Sequence, residues 1–301
     1  MSTTLPMTRP NTLAGIAFMS AGVFLFATND TLGKMLVGTY PVGQLMVVRG
    51  LVGLAIILPL LRRYRLPLLV RDDRPRLQLI RFALAPAEAS LFFWALITLP
   101  LAEVITYYQA APIWVVALSA LFLGEKVGWR RWTAVVAGFL GVVIALHPQA
   151  APSPGALSAL AGSVLYAGYL IATGRLSTIP RLVLTAQQLL ATTLYGAVIV
   201  GFEGWVTPTL RDLLFFVILG IGSLGGNLCV NISLRLGPAV TIVPFQYTML
   251  LWGFLLGFLF FGDIPGPAGL LGAATIVAAG LFILLREHRL AQTRPATPDP
   301  P

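Results

Sequence analysis

The stretch "YYQAAPIWVVALSALFLGEKVGWRRWTAVVAGFLGVVIAL", residues 107–146, contains two apolar runs separated by a short charged connection. Only 10% of the chain is charged, yet Glu125, Lys126, Arg130 and Arg131 all lie between these two runs. A bilayer core about 30 Å thick is crossed by roughly 20 helical residues at about 1.5 Å each. We therefore interpret the runs as parts of two membrane spans, at 102–122 and 131–147, and the charges as the place where the chain leaves the bilayer.

The rest of the chain shows the same pattern. Hydrophobic residues make up 57% of its 301 residues, and the mean hydropathy of +0.86 is too high for a soluble protein. The predicted fold class is an all-α integral membrane protein. Its ten predicted transmembrane helices are 12–32, 42–61, 77–98, 102–122, 131–147, 154–173, 182–202, 212–233, 239–260 and 267–286. The longest connection, 62–76, cannot hold a nucleotide-binding domain, and the polar, Pro-rich tail 288–301 is predicted to be disordered.

The distribution of basic residues predicts the orientation. With the N-terminus inside, seventeen of the twenty Lys and Arg residues face the cytoplasm, only Lys34 and Arg211 face outside, and Arg49 lies within a span. Cytoplasmic loops of membrane proteins carry such an excess, so both termini are predicted to be cytoplasmic. The same bias explains the net charge of +9 without a nucleic-acid partner.

The two halves of the chain resemble each other. A shift of 138 residues superimposes Trp114 on Trp252 and Glu125 on Asp263, and a shift of 140 superimposes Gly22 on Gly162. We therefore predict a first repeat at 1–148, with spans 1–5, and a second at 149–287, with spans 6–10. Because each repeat holds an odd number of spans, the second enters the membrane from the opposite side. Inverted repeats are an architecture of secondary transporters.

The quoted stretch closely resembles the signature of the EamA family, within the drug/metabolite transporter superfamily. The segment "LFATNDTLGKMLVGTYPVGQLMVVRG", residues 25–50, is similar to the first two helices of that family and includes Arg49; in the second half, Asp263 stands where the family usually has Glu. The resemblance implies a transporter of the bacterial inner (plasma) membrane and not an enzyme. Family members export amino acids, sugars, nucleosides and drugs, some take up vitamins or S-adenosylmethionine, and one branch exports aromatic amino acids.

Two charged residues inside the predicted spans are candidates for chemistry, because ionisable groups in a bilayer are costly. Glu88, mid-way along the third span, could carry a proton or bind an ammonium group, or it could be a protonated carboxyl bonded to a neighbouring helix. Arg49 could hold a substrate carboxylate bidentately or could fix Asp30 or a helix C-terminus. Asp30 and Asn29, near the outer end of the first span, are expected to cap or rim the helix.

Aromatic residues offer a second set of candidates. Glu103, Tyr107, Ala110 and Trp114 share one helix face, and their repeat partners are Thr241, Phe245, Thr248 and Trp252. Such faces fit a pseudo-symmetric pocket wall, and they fit packing between helices equally well. The predicted substrate-binding residues are Arg49, Glu88, Tyr107, Trp114, Tyr166, Tyr169, Asn227, Phe245, Gln246 and Trp252.

Several motifs are absent from the sequence. It contains no HExxH, no CxxC pair and no Walker lysine motif, and it has a single cysteine, Cys229. We therefore expect no cofactor, no metal and no ATP-driven machine. The sequence favours a secondary transporter or exporter that works by alternating access on small metabolites, foremost amino acids including aromatic ones. Its expected partners are the substrate, the bilayer and, as candidate coupling ion, a proton; no oligomer is required. The alternatives are an uptake carrier for S-adenosylmethionine or riboflavin, and an intramembrane enzyme.

Overall fold

The computed structural model describes residues 12–67, 74–123, 128–145, 153–176, 178–236 and 242–292. Every regular element in these ranges is helical, and the ten predicted spans are confirmed. Spans 1–3 are Thr12–Val37, Val42–Arg63 and Pro75–Thr98. Span 4 consists of two helices, Leu101–Tyr108 and Ala111–Leu123. Spans 5–8 are Trp129–Ala145, Pro154–Arg175, Arg181–Glu203 and Leu210–Leu236. Span 9 begins as a 3-10 turn at Val243–Tyr247 and continues as Thr248–Phe261, and span 10 is Pro267–Gln292.

The end of the last helix corrects one expectation. Span 10 continues to Gln292, so the first residues of the predicted disordered tail are helical. Residues 286–292, "REHRLAQ", contain no glycine or proline and mostly favour helix, which explains the extension. The remainder of the tail and the repeat boundary near residue 148 lie outside the described residues.

The spans pair across the two halves of the chain. Span 1 packs on span 8, span 3 on span 6, span 2 on span 7, span 5 on span 10 and span 4 on span 9. If each span is replaced by its equivalent in the other half, span 1 becomes span 6 and span 8 becomes span 3, so the 1–8 pair becomes the 3–6 pair. The same replacement turns each of the other three pairs into itself. This is the arrangement that two inverted five-span repeats produce, and it means that the halves interleave in one bundle.

Three of these pairs cross where a glycine brings two backbones close together. A Cβ atom on Gly196 of span 7 would lie 2.8 Å from the carbonyl oxygen of Gly43 in span 2. A Cβ atom on Gly272 of span 10 would lie 2.7 Å from the carbonyl oxygen of Gly141 in span 5. Span 1 meets span 8 through Gly22 in a similar way. In lipid, close packing of this kind holds helices together because there is little hydrophobic force between them.

The two ends of the bundle differ in charge. One end, called here the acidic end, carries Lys34, Glu103, Glu203, Arg211, Asp212 and Asp263. The opposite end, called the basic end, carries Arg62, Arg63, Arg74, Arg76, Arg81, Arg175 and Arg181.

Candidate functional site

Three ionisable side chains meet inside the first three spans. Asp30 of span 1, Arg49 of span 2 and Glu88 of span 3 interact electrostatically with one another, and all three are half-buried. We call them the charged triad. Arg49 forms no ion pair with Asp30 or Glu88, because none of its nitrogens lies within 4.0 Å of either carboxylate. The triad is therefore a set of charges that are near one another but not paired.

The triad also lacks hydrogen bonds. In the described part of the chain neither carboxylate of the triad accepts one, and the buried Nε of Arg49 has no partner. The guanidinium carbon of Arg49 lies 5.5 Å from the ring centre of Phe93, which supports it by a cation–π contact. Phe93 fits there because Gly33 leaves room: a Cβ on Gly33 would lie 2.6 Å from Phe93 Cε1. Buried polar groups in proteins normally have hydrogen-bond partners, so the Nε of Arg49 is a candidate ligand-binding group.

Three tyrosines extend from the triad toward the basic end. The hydroxyl of Tyr108 donates to the backbone oxygen of Glu88 at 2.9 Å. The Tyr108 and Tyr166 rings lie 5.9 Å apart, and the Tyr166 and Tyr169 rings are stacked at 6.3 Å. This tyrosine row, Tyr108, Tyr166 and Tyr169, provides an aromatic wall beside the charges.

The far end of the tyrosine row is fixed by Arg81. This arginine is only 3% exposed and donates to Tyr169 Oη at 3.3 Å, to Thr173 Oγ1 at 3.0 Å and to the carbonyl oxygen of Leu184 at 3.0 Å. Tyr169 in turn donates to Gln188 Oε1 at 2.7 Å. Arg81 thus joins spans 3, 6 and 7 at the basic end and sets the orientation of Tyr169.

The structure brings four of the predicted site residues together: Arg49, Glu88, Tyr166 and Tyr169. Two residues outside the predicted set, Asp30 and Tyr108, lie beside them. Asp30 is a neighbour of Arg49 and Glu88, not a helix cap or rim residue. The rule that selected Glu88, an ionisable group within a span, would have selected Asp30 as well.

The aromatic face predicted along span 4 is not continuous, because the helix is interrupted after Tyr108. Tyr107 is 2% exposed and lies with Glu103 and Phe254 beside a shallow pocket toward the acidic end, away from the triad. Its neighbour Tyr108 contacts Glu88 instead, since adjacent helical residues point about 100° apart. Trp114 donates through Nε1 to Ser163 Oγ at 3.1 Å, which is a bond between spans 4 and 6.

The remaining candidates lie in the second half and do not join the triad. Trp252 packs edge-on against Phe24 at 4.8 Å, and its buried Nε1 has no partner. Phe245 packs on an apolar cluster formed by Met19, Val23 and Ile242. Gln246 is exposed, and the amide of Asn227 donates to the Ser223 carbonyl of its own helix at 2.8 Å.

Polar contacts between the two halves close the acidic end. Lys34 Nζ lies 2.8 Å from Asp263 Oδ2, and Tyr40 Oη donates to Asp212 Oδ2 at 2.7 Å. Glu203 accepts from the Gly43 amide at 2.9 Å and from Trp94 Nε1 at 3.2 Å. Gln44 and the Val206 backbone exchange two hydrogen bonds, of 2.7 and 2.9 Å. Tyr40 lies in the connection before span 2. Its pKa is raised, mainly by the hydrogen bond to the Asp212 carboxylate and to a smaller extent by burial.

Spans 4 and 9 are equivalent in the two repeats, but equivalent residues near their beginnings are buried to different degrees. Near the acidic end, Thr106 and Tyr107 of span 4 are 3% and 2% exposed. Their repeat partners near the basic end, Pro244 and Phe245 of span 9, are only half-buried, and Gln246 is exposed. Span 4 near the acidic end is therefore more deeply buried than the equivalent residues of span 9 near the basic end.

Ten helical spans around a half-buried set of ionisable side chains define a multi-span membrane protein. The model of the EamA-like transporter family matches the chain twice, at residues 13–146 and 153–285. The chain belongs to this family: it is a transporter of a small-molecule substrate in a lipid bilayer, and not an enzyme.

Individual relatives agree with the family. A riboflavin transporter of Rhizobium johnstonii is 30% identical over 238 residues, which is 77% of each chain. An S-adenosylmethionine uptake transporter of Rickettsia bellii is 23% identical and covers 91% of this chain and 94% of its own. A pseudopaline exporter of Pseudomonas aeruginosa is 24% identical over 88% of this chain and 94% of its own. One solved crystal structure shares the fold with a TM-score of 0.64 at 23% identity, covering 94% of this chain and 99% of that one.

Proposed function

We propose that the protein is a secondary transporter that moves small zwitterionic metabolites, foremost amino acids with aromatic side chains, across the bacterial inner membrane by alternating access. The observation that carries this proposal is the charged triad next to the tyrosine row. An amino acid presents a carboxylate, an ammonium group and a side chain. The triad offers a cation and carboxylates, and the row offers an aromatic wall.

Each part of such a substrate has a matching group. The guanidinium of Arg49, with its unbonded Nε, suits a carboxylate, which arginine can bind with two parallel hydrogen bonds. The unbonded carboxylates of Asp30 and Glu88 suit an ammonium group. The rings of Tyr108 and Tyr166, whose centres are 5.9 Å apart, suit an apolar or aromatic side chain.

The orientation and direction of transport belong to the same proposal. The excess of basic residues places the basic end and both termini in the cytoplasm. The acidic end, where polar contacts join the two halves, then faces outside, and the basic end faces the cytoplasm, where an exporter binds its substrate. If the two inverted repeats, 1–148 and 149–287, exchanged their conformations after the substrate had bound, the acidic end would open and the basic end would close. Reporter fusions after Arg294 and within 62–76 should both give cytoplasmic signals, and an external signal from either would contradict this orientation.

A second candidate is uptake of S-adenosylmethionine. This molecule carries an amino-acid head group, an additional cation and an aromatic base, and the three rings of the tyrosine row extend further than one aromatic side chain requires. The relative from Rickettsia bellii is named for this substrate. Riboflavin, named for the Rhizobium relative, has neither ammonium nor carboxylate and would leave the triad unused.

The deciding experiment is counterflow with purified protein in proteoliposomes. Radiolabelled phenylalanine, leucine, S-adenosylmethionine and riboflavin are tested on wild type, on Arg49→Gln and on Val198→Ala, a control at an exposed apolar position. We expect phenylalanine exchange to exceed leucine exchange and to be lost in Arg49→Gln but not in Val198→Ala. Exchange of S-adenosylmethionine alone would establish the second candidate. Riboflavin exchange that survives Arg49→Gln would contradict both.

A further inference from the structure

Arg81 connects the two halves of the chain at the basic end. It belongs to span 3 of the first half, and its partners belong to spans 6 and 7 of the second half. Its Nε donates to Thr173 Oγ1 at 3.0 Å, and its Nη2 donates to Tyr169 Oη at 3.3 Å and to the Leu184 carbonyl oxygen at 3.0 Å. The guanidinium carbon also lies 5.2 Å from the centre of the Tyr169 ring. We call these four residues the Arg81 cluster.

The Arg81 cluster lies between the tyrosine row and the basic end. Tyr169 stacks on Tyr166 at 6.3 Å, and the Tyr166 ring lies 5.9 Å from that of Tyr108, which donates to the Glu88 backbone. Arg81 precedes Glu88 by seven residues, which is about 10 Å along span 3. Arg81 is also only 3% exposed, so it fills its position between the spans. A molecule that moves along the tyrosine row toward the basic end therefore meets the Arg81 cluster.

The guanidinium of Arg81 is bonded to neutral acceptors only. No carboxylate of the described residues lies within 4.0 Å of it. A buried cation loses its hydration, and neutral acceptors restore only part of that loss. When the two halves separate, water binds the guanidinium again, and this hydration offsets the broken hydrogen bonds. The contact can therefore form and break at a small net cost in free energy.

The acidic end is held by a different kind of contact, the salt bridge between Lys34 and Asp263. A shift of 138 residues superimposes Arg81 on Leu219 of span 8, which is fully buried and apolar. The second repeat therefore has no cation at the position of Arg81. Each end of the bundle has its own contact between the halves, so one end can open while the other stays closed, as alternating access requires.

We propose that the Arg81 cluster is the gate of the basic end. The gate is closed while Arg81 is bonded to spans 6 and 7, and it opens when Arg81 leaves them. Because Tyr169 belongs both to the cluster and to the tyrosine row, opening of the gate also frees the ring that stacks on Tyr166. The gate is thereby coupled to the aromatic wall of the site. This inference rests on the alternating access proposed above, but it does not depend on which substrate is carried.

Thiol labelling of the purified full-length protein tests the gate without any substrate. Ala85→Cys and Ala95→Cys are made separately in a Cys229→Ser background, because both alanines of span 3 are buried, at 1% and 0% exposure. Ala85 lies one turn further inside than Arg81, and Ala95 lies one turn before the other end of the span. A hydrophilic maleimide reacts with either thiol only when water reaches it. The two labelling rates therefore report opening near the basic end and near the acidic end.

Arg81→Met should make the thiol of Ala85→Cys react about 10-fold faster, which is the effect of losing one charge-assisted hydrogen bond. The thiol of Ala95→Cys should react no faster than before. Arg63→Met is the matched control, because Arg63 is exposed at the same end and its side chain has no bond to a described residue; both rates should stay unchanged. No acceleration of Ala85→Cys would overturn the gate. Equal acceleration at both positions would also overturn it, because Arg81→Met would then loosen the whole bundle.

Tyr169→Phe and Thr173→Val test the same gate if Arg81→Met does not fold. Each variant removes one hydrogen-bond acceptor of Arg81 and keeps the shape of the side chain. Each should accelerate labelling of Ala85→Cys and leave that of Ala95→Cys unchanged. Unchanged labelling of Ala85→Cys in both variants would overturn the gate. A failure of phenylalanine exchange would contradict the proposed substrate but would not alter these labelling rates, so the two proposals fail separately.

Discussion

Lys34 and Asp263 form a salt bridge, with 2.8 Å between Nζ and Oδ2, that joins span 1 of the first half to the residues after span 9 of the second half. Lys34 also lies 4.6 Å from the centre of the Phe261 ring, and Asp263 accepts from the Leu101 amide at 3.4 Å. Spans 1, 4 and 9 are thereby held together at the acidic end. Any motion that opens this end must break the salt bridge.

Removal of Lys34 should therefore favour opening of the acidic end. A partly exposed ion pair with a cation–π contact contributes about 1 kcal/mol, so Lys34→Met should raise the open-to-closed ratio roughly 5-fold. Spin labels on cysteines at Gly38, after span 1, and at the exposed Ile264, after span 9, in a Cys229→Ser background, report the distance between the two segments that the salt bridge joins. We expect a longer-distance population in Lys34→Met.

Arg211→Met provides the matched control for this experiment. Arg211 is a cation at the same end, but its described contact is with Phe215 of its own helix, at 5.4 Å. The spin-label distances should be unchanged in this variant. An equal shift in both variants would mean that net charge, and not the salt bridge, controls the end.

The contact between Tyr40 and Asp212 should make the stability of the protein sensitive to alkaline pH. The hydrogen bond to the Asp212 carboxylate raises the pKa of Tyr40 in the folded protein. Because the folded-state pKa is the higher one, this stabilisation is complete below the ordinary tyrosine value of about 10 and is lost as the pH rises through the folded pKa. Wild type should lose Tm steeply over that range, and Tyr40→Phe should lose less, as measured by thermal unfolding in detergent. Tyr64→Phe, at an exposed tyrosine, should follow wild type.

The two halves of the chain differ at one hydrogen bond. Trp114 donates to Ser163 Oγ at 3.1 Å, but its repeat partner Trp252 has an unbonded Nε1, and the position equivalent to Ser163 is occupied by Val23. Ser163→Val should therefore cost about 1 kcal/mol by leaving the Trp114 indole without an acceptor. Val23→Thr keeps the side-chain shape and supplies the missing acceptor, so it should raise Tm. The combination of Ser163→Val with Trp114→Phe should cost less than the two single costs added together. A fall in Tm for Val23→Thr would show that the Trp252 indole points away from residue 23.

The sequence predicted the spans far better than it predicted the site. Spans follow from the length of apolar runs, and Arg49 and Glu88 follow from the cost of charge in a bilayer. The prediction of Tyr107 rather than Tyr108 assumes one unbroken helix from Glu103 to Trp114. The chain breaks between its two helices at Gln109 and Ala110, so this assumption is wrong. No single-residue pattern reveals such a break, because it depends on packing against other spans.

Span 7 offers a matched test of the glycine crossings. A Cβ atom on Gly196 would lie 2.8 Å from the Gly43 carbonyl oxygen and 2.9 Å from the Val47 amide nitrogen of span 2, and backbone atoms cannot move aside as a flexible side chain can. Gly196→Ala should therefore push spans 2 and 7 apart at a cost of about 1–3 kcal/mol.

Gly201→Ala is the control for that substitution, because nothing lies within 4 Å of the Cβ position of Gly201 in the same helix. Alanine favours helix over glycine by about 1 kcal/mol, so this variant should be as stable as wild type or more stable. Thermal unfolding followed by size-exclusion fluorescence measures both variants. Equal stability of Gly196→Ala and Gly201→Ala would mean that spans 2 and 7 do not approach as closely as the structure shows. The opposite ordering of the two variants would contradict the pairing of these spans altogether.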